Sequence, residues 1–208
     1  MDPGDKPIYR LIRGTAWFFC KILFRHRVRG HENIPKEGPF LLAVNHSSNL
    51  DPILAGTSVK RPLAYMARST LFSPAPMGWI LRNVNALPLE REGLGIAGFR
   101  AILDHLEAGG GALIFPEGTR SADGRLKRFK GGIVRLANLA QVPVVPAYIS
   151  GAARAMRRGN RLPRPLNTEI TFGECIDKEV FSEEDNGLEV LRKAIEDLVQ
   201  DDHRLPPI

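Results

Sequence analysis

Short apolar runs separated by helix-like segments are the feature of this sequence that most restricts its fold. Six runs are apolar along nearly their whole length, at residues 40–44, 63–67, 84–89, 112–115, 142–149 and 168–173. Strands that are apolar on both faces are typical of parallel sheets covered by helices. Helical patterns are found at residues 52–57, 76–81, 94–106, 132–139 and 188–199.

This alternation predicts an α/β fold with a largely parallel or mixed central sheet of about six or seven strands, flanked by helices. The chain has 208 residues. That length fits a single domain, because one hydrophobic core stops growing only near about 250–300 residues.

The first segment of the chain, residues 8–25, is expected to form an amphipathic helix that precedes this fold. Its cationic side chains share one side of the helix, and aromatic side chains lie beside them. The two sets are Arg10, Arg13, Lys21 and Arg25, and Trp17, Phe18, Phe19 and Phe24. Such a helix is typical of a membrane interface, although it could instead dock on the protein's own core.

We therefore divide the chain into an amphipathic membrane-interface segment, residues 1–30, and a main domain, residues 31–208. No segment is expected to span a bilayer, because a spanning helix needs about 20 predominantly apolar residues.

Charge is distributed unevenly along the chain, whose formal net charge is +6. Residues 1–173 carry 25 Lys or Arg and 12 Asp or Glu, whereas residues 174–202 carry 3 and 11. An anionic partner should meet the first region: nucleic acid, an anionic membrane surface or a phosphorylated substrate. Cys20 and Cys175 form no disulfide or zinc pattern, so the reducing, cytosolic side of the membrane is expected.

A polar stretch, "NHSSNLD", interrupts apolar sequence at residues 45–51. Asp51 followed by Pro52 has a purely structural interpretation as the N-cap and first residue of a helix. His46 follows a predicted strand, at the edge where open α/β sheets hold their ligands. If Asp51 folds back to it, the imidazole can act as a general base. No G-x-S-x-G nucleophile motif is present, so the substrate would supply the hydroxyl.

A second polar stretch, "FPEGTRSADGRLKRFKGG", begins at residue 115, directly after another predicted strand. Its cations are suited to binding phosphate, and its glycines allow a backbone to approach one. These cations include Arg120, Lys127, Arg128 and Lys130. A solvated turn with an accidental basic run is the alternative.

Together these stretches resemble the glycerolipid acyltransferase family typified by 1-acyl-glycerol-3-phosphate acyltransferase. "NHSSNLD" resembles its first motif, "NALPLER" its second, "FPEGTRS" its third and "VPVVPAYI" its fourth. The resemblance implies that His46 is the base and Asp51 its partner. It also implies that the acceptor is bound by Arg91, Glu117, Gly118, Thr119 and Arg120, to which we add Lys130. Asn85 departs from the family pattern, which usually has glycine there.

The resemblance further implies transfer of a fatty acyl group from acyl-CoA or acyl carrier protein. The acceptor would be the free hydroxyl of 1-acyl-glycerol 3-phosphate (lysophosphatidate), and the product phosphatidate. The expected setting is the cytoplasmic face of the cell membrane, with the phospholipid bilayer as a partner and no cofactor or metal. Backbone N–H groups near Gly118 or in the "HSSN" turn are candidates to stabilise the oxyanion.

Three alternatives remain open at this stage. The acceptor could be glycerol 3-phosphate or another lysolipid. The chain could instead be a non-enzymatic peripheral protein that binds anionic lipids. Nucleic-acid binding is supported only by net charge and is not expected.

Two further segments receive interpretations from charge alone. Five arginines between residues 154 and 164 suit an acidic carrier protein, coenzyme A phosphates or lipid headgroups, or they form a solvated loop. The acidic segment 174–202 is expected to be an exposed helix with no chemical role, whose apolar side consists of Leu188, Leu191, Ile195 and Leu198.

Overall fold

A seven-stranded mixed sheet forms the centre of the molecule. The computed structural model describes residues 6–89, 95–121, 123–156, 159–160 and 162–202. Residues 200–202 are described by their backbone only. The strands are β1 (Arg27–Arg29), β2 (Phe40–Val44), β3 (Leu63–Arg68), β4 (Ala86–Leu89), β5 (Gly111–Ile114), β6 (Val144–Ser150) and β7 (Glu169–Phe172). Their spatial order is β1-β7-β6-β2-β5-β3-β4, and all neighbours are parallel except β6 and β7.

The central strand β2 explains why its sequence is an unbroken apolar run. All five of its residues are fully buried. Successive side chains of a strand point to opposite faces. Phe40, Leu42 and Val44 belong to one core cluster, and Leu41 and Ala43 belong to the cluster on the other face. A strand with a core on both faces has no position for a polar side chain.

In the described part of the chain, seven helices cover the sheet in two layers. They are α1 (Pro7–Phe24), α2 (Asp51–Ser58), α3 (Ala75–Asn83), α4 (Ile96–Glu107), α5 (Gly132–Ala140), α6 (Ala152–Ala155) and α7 (Glu184–Asp202). Buried residues of α1, α2 and α6 join the cluster on one face, and those of α4, α5 and α7 join the cluster on the other. Helix α3 packs around Tyr65, which also borders the first cluster.

The predicted fold class is confirmed, and each predicted strand and helix overlaps an observed one. The sequence patterns miss β1, because its three residues, RVR, contain a single apolar side chain. They also miss α6, which has only four residues. The helix expected in segment 174–202 is present as α7, and its expected apolar side meets the core: Leu191 and Ile195 are fully buried and Leu188 packs against them.

Helix α1 docks on the domain and also exposes apolar side chains. Tyr9, Cys20 and Phe24 are buried. Arg13, expected on the cationic stripe, donates from Nε to the Val59 carbonyl at 3.1 Å and from Nη2 to the Thr57 carbonyl at 3.1 Å. It therefore satisfies carbonyls at the C-terminal end of α2, which lack partners within that helix. None of the described helices is long and apolar enough to cross a membrane.

The boundary expected after residue 30 separates strand β1 from the other strands of the same sheet. Strand β1 lies before it and pairs with β7, with Arg27 opposite Glu169 and Arg29 opposite Thr171. Helix α1 packs on the core and strand β1 pairs with the sheet, and the division of the chain after residue 30 stays a prediction.

His26 joins three elements where α1 ends. Its ring is 2% exposed, with Nδ1 2.8 Å from the Thr168 hydroxyl and Nε2 2.9 Å from the Ser58 hydroxyl. Burial, reinforced by the charge of Lys21, lowers the pKa of His26 to about 4. The folded protein therefore keeps a neutral imidazole at this junction.

A His26→Gln variant should lose most of the acid sensitivity of folding that this ring causes. The unfolded chain binds a proton near pH 6.5, whereas the folded chain binds it only near pH 4, so stability falls as pH falls between those values. From pH 8 to pH 5, His26 should lower the free energy of unfolding by about 2 kcal/mol. Urea unfolding at both pH values measures this change. An exposed-residue control, His31→Gln, should keep the wild-type dependence; an equal dependence in His26→Gln would contradict the assignment.

Candidate functional site

The ends of two neighbouring parallel strands bring the two polar stretches together. Strands β2 and β5 are hydrogen-bonded in parallel, so the residues that follow Val44 and Ile114 emerge at the same edge of the sheet. We call residues 45–50 the histidine turn and residues 119–131 the basic loop. Backbone contact joins them, because the Ser121 N–H donates to the His46 carbonyl at 2.7 Å.

The Asp51 carboxylate organises the histidine turn. Its Oδ2 lies 2.9 Å from His46 Nδ1, 2.6 Å from the Ser47 backbone nitrogen and 2.7 Å from the Ser48 backbone nitrogen. The N-cap interpretation of Asp51 is wrong, because Asp51 is itself the first residue of α2 and its carboxylate accepts from residues that precede the helix. The Asp51 side chain is fully buried.

The His46 imidazole is oriented by contacts on two sides. The Asp51 carboxylate accepts a hydrogen bond from Nδ1–H, which leaves Nε2 as the basic nitrogen. The ring of Phe115 stacks on the imidazole with centroids 3.9 Å apart and 15° between the planes. The side chain remains 18% exposed, so the ring is held in one orientation but is not sealed in the interior.

Glu117 braces the backbone of the site. Its Oε1 accepts the His46 N–H at 2.8 Å, and its Oε2 accepts the Lys127 N–H at 3.1 Å. Glu117 is 2% exposed, and burial raises the pKa of its carboxyl group while the two N–H groups oppose that rise. Both Glu117 oxygens therefore bind backbone donors inside the protein, and a role in binding the acceptor stays a prediction.

Arg120 and Lys130 bring positive charge to the same edge. Arg120 donates from Nη1 to the Asn49 side-chain oxygen at 2.7 Å, and Lys127 Nζ donates to the Arg120 carbonyl at 2.9 Å. Lys130 lies over Gly118: a methyl group added to that glycine would be 3.0 Å from Lys130 Nζ. Gly118 also has a φ of +65°, which favours glycine.

The remaining expected residues are placed as follows. Thr119 lies exposed in the basic loop. Arg91 falls in segment 90–94, outside the described residues, so its position relative to His46 stays a prediction. Asn85, which precedes β4, adopts a φ of +60°. Asparagine tolerates that left-handed conformation better than most residues, so it can replace the glycine that the family pattern has there.

Three of the backbone N–H groups expected to stabilise the oxyanion are engaged within the protein. The Ser47 and Ser48 N–H groups donate to Asp51, and the Gly118 N–H donates to the Phe115 carbonyl at 2.9 Å. These three donors hold the turns together and do not point to a substrate.

Sequence reasoning missed two side chains that hold the site. Asn45 donates to the Ile149 carbonyl at 3.1 Å and accepts its N–H at 2.7 Å, which ties the end of β2 to β6. Asn49 contacts Arg120, although it lies 71 positions earlier in the chain. An asparagine in a polar turn gives no sequence signal for either distant partner. In the described part of the chain, no group of three or more His, Cys, Asp or Glu residues could hold a metal.

The fold and site define a class of enzyme. An imidazole oriented by a buried carboxylate, at the carboxyl edge of an α/β sheet and beside a basic loop, is suited to acid–base chemistry on an anionic substrate. A family model described as "Acyltransferase" matches residues 25–150, more than half of the chain. The protein belongs to this acyltransferase family and is an acyltransferase.

Individual relatives agree in their names. The chain is 31% identical over 158 residues to the 1-acyl-sn-glycerol-3-phosphate acyltransferase of Bacillus subtilis, covering 75% of this chain and 76% of that one. It is 25% identical over 203 residues to the enzyme of that name from Streptococcus pneumoniae, covering 93% and 72%. The crystal structure of the 1-acyl-sn-glycerophosphate (LPA) acyltransferase PlsC from Thermotoga maritima is similar, with a TM-score of 0.84, 25% identity and coverages of 96% and 83%.

Replacing Glu117 by glutamine should damage the site without changing the volume of the side chain. A glutamine amide has only one oxygen, so one N–H, from His46 or Lys127, would face an NH2 group. Leaving one buried donor unpaired costs about 1–3 kcal/mol of folding free energy. The free energy of unfolding, measured with urea, should fall because of the unpaired donor. The rate of acyl transfer should also fall, because the His46 backbone moves. The control Glu37→Gln, at an exposed position, should match wild type. A Glu117→Gln variant with unchanged stability and rate would refute the claim that Glu117 holds the His46 and Lys127 backbones in place.

Proposed function

We propose that this protein transfers a fatty acyl group to the free hydroxyl of 1-acyl-glycerol 3-phosphate and so forms phosphatidate. The observation that carries the proposal is the oriented imidazole of His46 beside the basic loop. The relatives named above support the choice of acceptor. Acyl-CoA or acyl carrier protein would supply the acyl thioester.

His46 is the general base in this proposal. Its Nε2 removes the proton of the acceptor hydroxyl as the hydroxyl oxygen attacks the thioester carbonyl. Asp51 stabilises the imidazolium that forms and keeps Nδ1–H in place. When the tetrahedral intermediate collapses, the carbon–sulfur bond breaks, and the proton on Nε2 passes to the departing thiolate. No acyl-enzyme forms, because the attacking oxygen belongs to the acceptor.

The basic loop would bind the acceptor phosphate. Arg120 offers a planar guanidinium, and Lys130 offers a point charge beside Gly118. Arg91, which follows β4, is the third candidate, because β4 pairs in parallel with β3 and its carboxyl end faces the same edge. A doubly charged phosphate monoester would be held by several cations, which fixes the distance from its hydroxyl to Nε2.

A binder of anionic lipids without catalysis would need the cations only. It would not need a carboxylate that is fully buried, since burying a charged group is unfavourable unless it is paired and hydrogen-bonded. The burial of the Asp51 carboxylate beside His46 therefore favours a role for the imidazole in proton transfer.

Replacing His46 by alanine should strongly reduce turnover in a protein that still folds. General-base catalysis contributes about 10²–10⁴-fold to rate, so acyl transfer should fall by at least about 10²-fold. Mass spectrometry of the products, with lysophosphatidate, glycerol 3-phosphate and lysophosphatidylcholine as acceptors, measures both rate and preference. We expect lysophosphatidate to give the highest rate. The exposed His31→Ala variant serves as control; undiminished acylation by His46→Ala would remove this histidine from the mechanism.

We propose that exposed apolar side chains on three neighbouring helices hold the protein at the cytoplasmic face of the cell membrane, as a peripheral or monotopic protein. This apolar helical face comprises Leu11, Phe18, Phe19 and Ile22 of α1, Ile53 of α2, and Met77, Trp79 and Ile80 of α3, all at least 37% exposed. Ile53 lies in the first turn of α2, which directly follows the histidine turn, so this part of the face begins next to the site along the chain. An acceptor in the bilayer could thus approach His46 without leaving the interface.

The double variant Phe19→Gln/Trp79→Gln should bind membranes less tightly. Removing two exposed aromatic groups from a bilayer contact should weaken vesicle binding by about tenfold or more, given about 25 cal/mol for each Å² of apolar surface. Co-sedimentation with vesicles of phosphatidylglycerol and phosphatidylcholine measures this. Leu139→Gln is the matched control, because Leu139 is 57% exposed on α5, in the opposite layer. Equal binding by both variants would rule out the apolar helical face as the membrane contact.

A further inference from the structure

Arg192 of α7 contacts the basic loop from outside the region that the family model matches. The model ends at residue 150, and α7 begins at Glu184. Arg192 donates from Nη1 to the Lys127 carbonyl at 3.1 Å. Its guanidinium carbon lies 5.7 Å from the centre of the Phe129 ring, within range of a cation–π interaction. One side chain thus holds two residues of the loop.

The position of Arg192 is itself fixed by the helix. Its Nε lies 2.8 Å from Oε1 of Glu196, one turn further along α7. The guanidinium therefore contacts Glu196 and the Lys127 carbonyl through different N–H groups, and its carbon lies over the Phe129 ring. A lysine could make one of these contacts at a time, because its ammonium is a single point on a flexible stem.

The residue held by Arg192 connects directly to the reacting part of the site. The Lys127 N–H binds Glu117 Oε2, and Glu117 Oε1 binds the His46 N–H. The Lys127 ammonium binds the Arg120 carbonyl at 2.9 Å. Arg192 thus contacts Lys127, the residue that connects Glu117, which binds the His46 backbone, to Arg120, which is expected to bind the acceptor phosphate.

We propose that Arg192 is a positioning residue for acyl transfer. It fixes the basic loop relative to the sheet edge, so that Arg120 and Lys130 meet the acceptor phosphate at the correct distance from His46. The acidic C-terminal helix acquires a role through this one cation. The proposal rests on the proposed acyl transfer, because the measured effect is on the acceptor.

Arg192→Met is the informative variant, since methionine keeps an unbranched apolar stem but removes the donors and the charge. Arg192→Lys tests rescue by a conservative change. Lys193→Met is the matched control: Lys193 is the next residue on α7, is 74% exposed, and pairs only with Asp197 on the same helix among the described residues. Each variant is compared with wild type in steady-state kinetics, thermal unfolding and hydrogen exchange of residues 123–130.

Arg192→Met should raise KM for lysophosphatidate about tenfold, the value expected for losing a hydrogen bond from a charged group, and should change kcat much less. Amides of residues 123–130 should exchange faster, and the thermal midpoint should change no more than in Lys193→Met. Arg192→Lys should recover part of the loss. Lys193→Met should show wild-type KM and exchange.

Equal KM values in Arg192→Met and Lys193→Met would overturn the proposal, as would a loss of activity that only follows a lower thermal midpoint. Failure of the proposed function would look different, because wild type itself would then not acylate lysophosphatidate. The exchange measurement still decides in that case: unchanged exchange of residues 123–130 in Arg192→Met would refute the claim that Arg192 fixes the basic loop.

Discussion

The site depends on one buried carboxylate that has collected its hydrogen bonds from a single turn. Asp51 Oδ2 accepts from the His46 ring and from the Ser47 and Ser48 backbones. A buried carboxylate is stable only with such donors, and each bond to a charged group contributes about 1.5–3 kcal/mol. The dependence is mutual: the turn offsets part of the cost of burying Asp51, and Asp51 fixes the shape of the turn and the tautomer of His46.

Backbone contacts extend this local order to the neighbouring strands. Asn45 ties the end of β2 to β6, and Glu117 ties the histidine turn to the basic loop. The parallel pairing of β2 with β5 makes these contacts possible, because both strands end at the same edge. The edge then combines a base, cations and the adjoining apolar helical face. That combination matches a substrate with an anionic head, a free hydroxyl and an acyl chain.

The sequence pattern predicted the strands that are buried on both faces. It did not predict contacts between side chains that lie far apart in the chain. Strand β2 was recognisable because burial on both faces leaves an unbroken apolar pattern. Strand β1 was not, since an edge strand can consist mostly of polar residues. His46 and Asp51 were identified because they are close in the chain. Residue type did not reveal that Glu117 turns inward or that Arg192 reaches across 65 positions to Lys127, because only the packing of the sheet brings them together.

The tautomer of His46 tests the central claim most directly. Nitrogen-15 NMR of the histidine-labelled protein, with the His46 signals assigned from a His46→Gln sample, distinguishes a protonated Nδ1 from a protonated Nε2 in the neutral ring. The account predicts that the proton is on Nδ1 in the wild-type protein and that Nε2 is free. A neutral ring with its proton on Nε2 would contradict it, because the nitrogen that faces away from Asp51 would then have no lone pair with which to accept a proton.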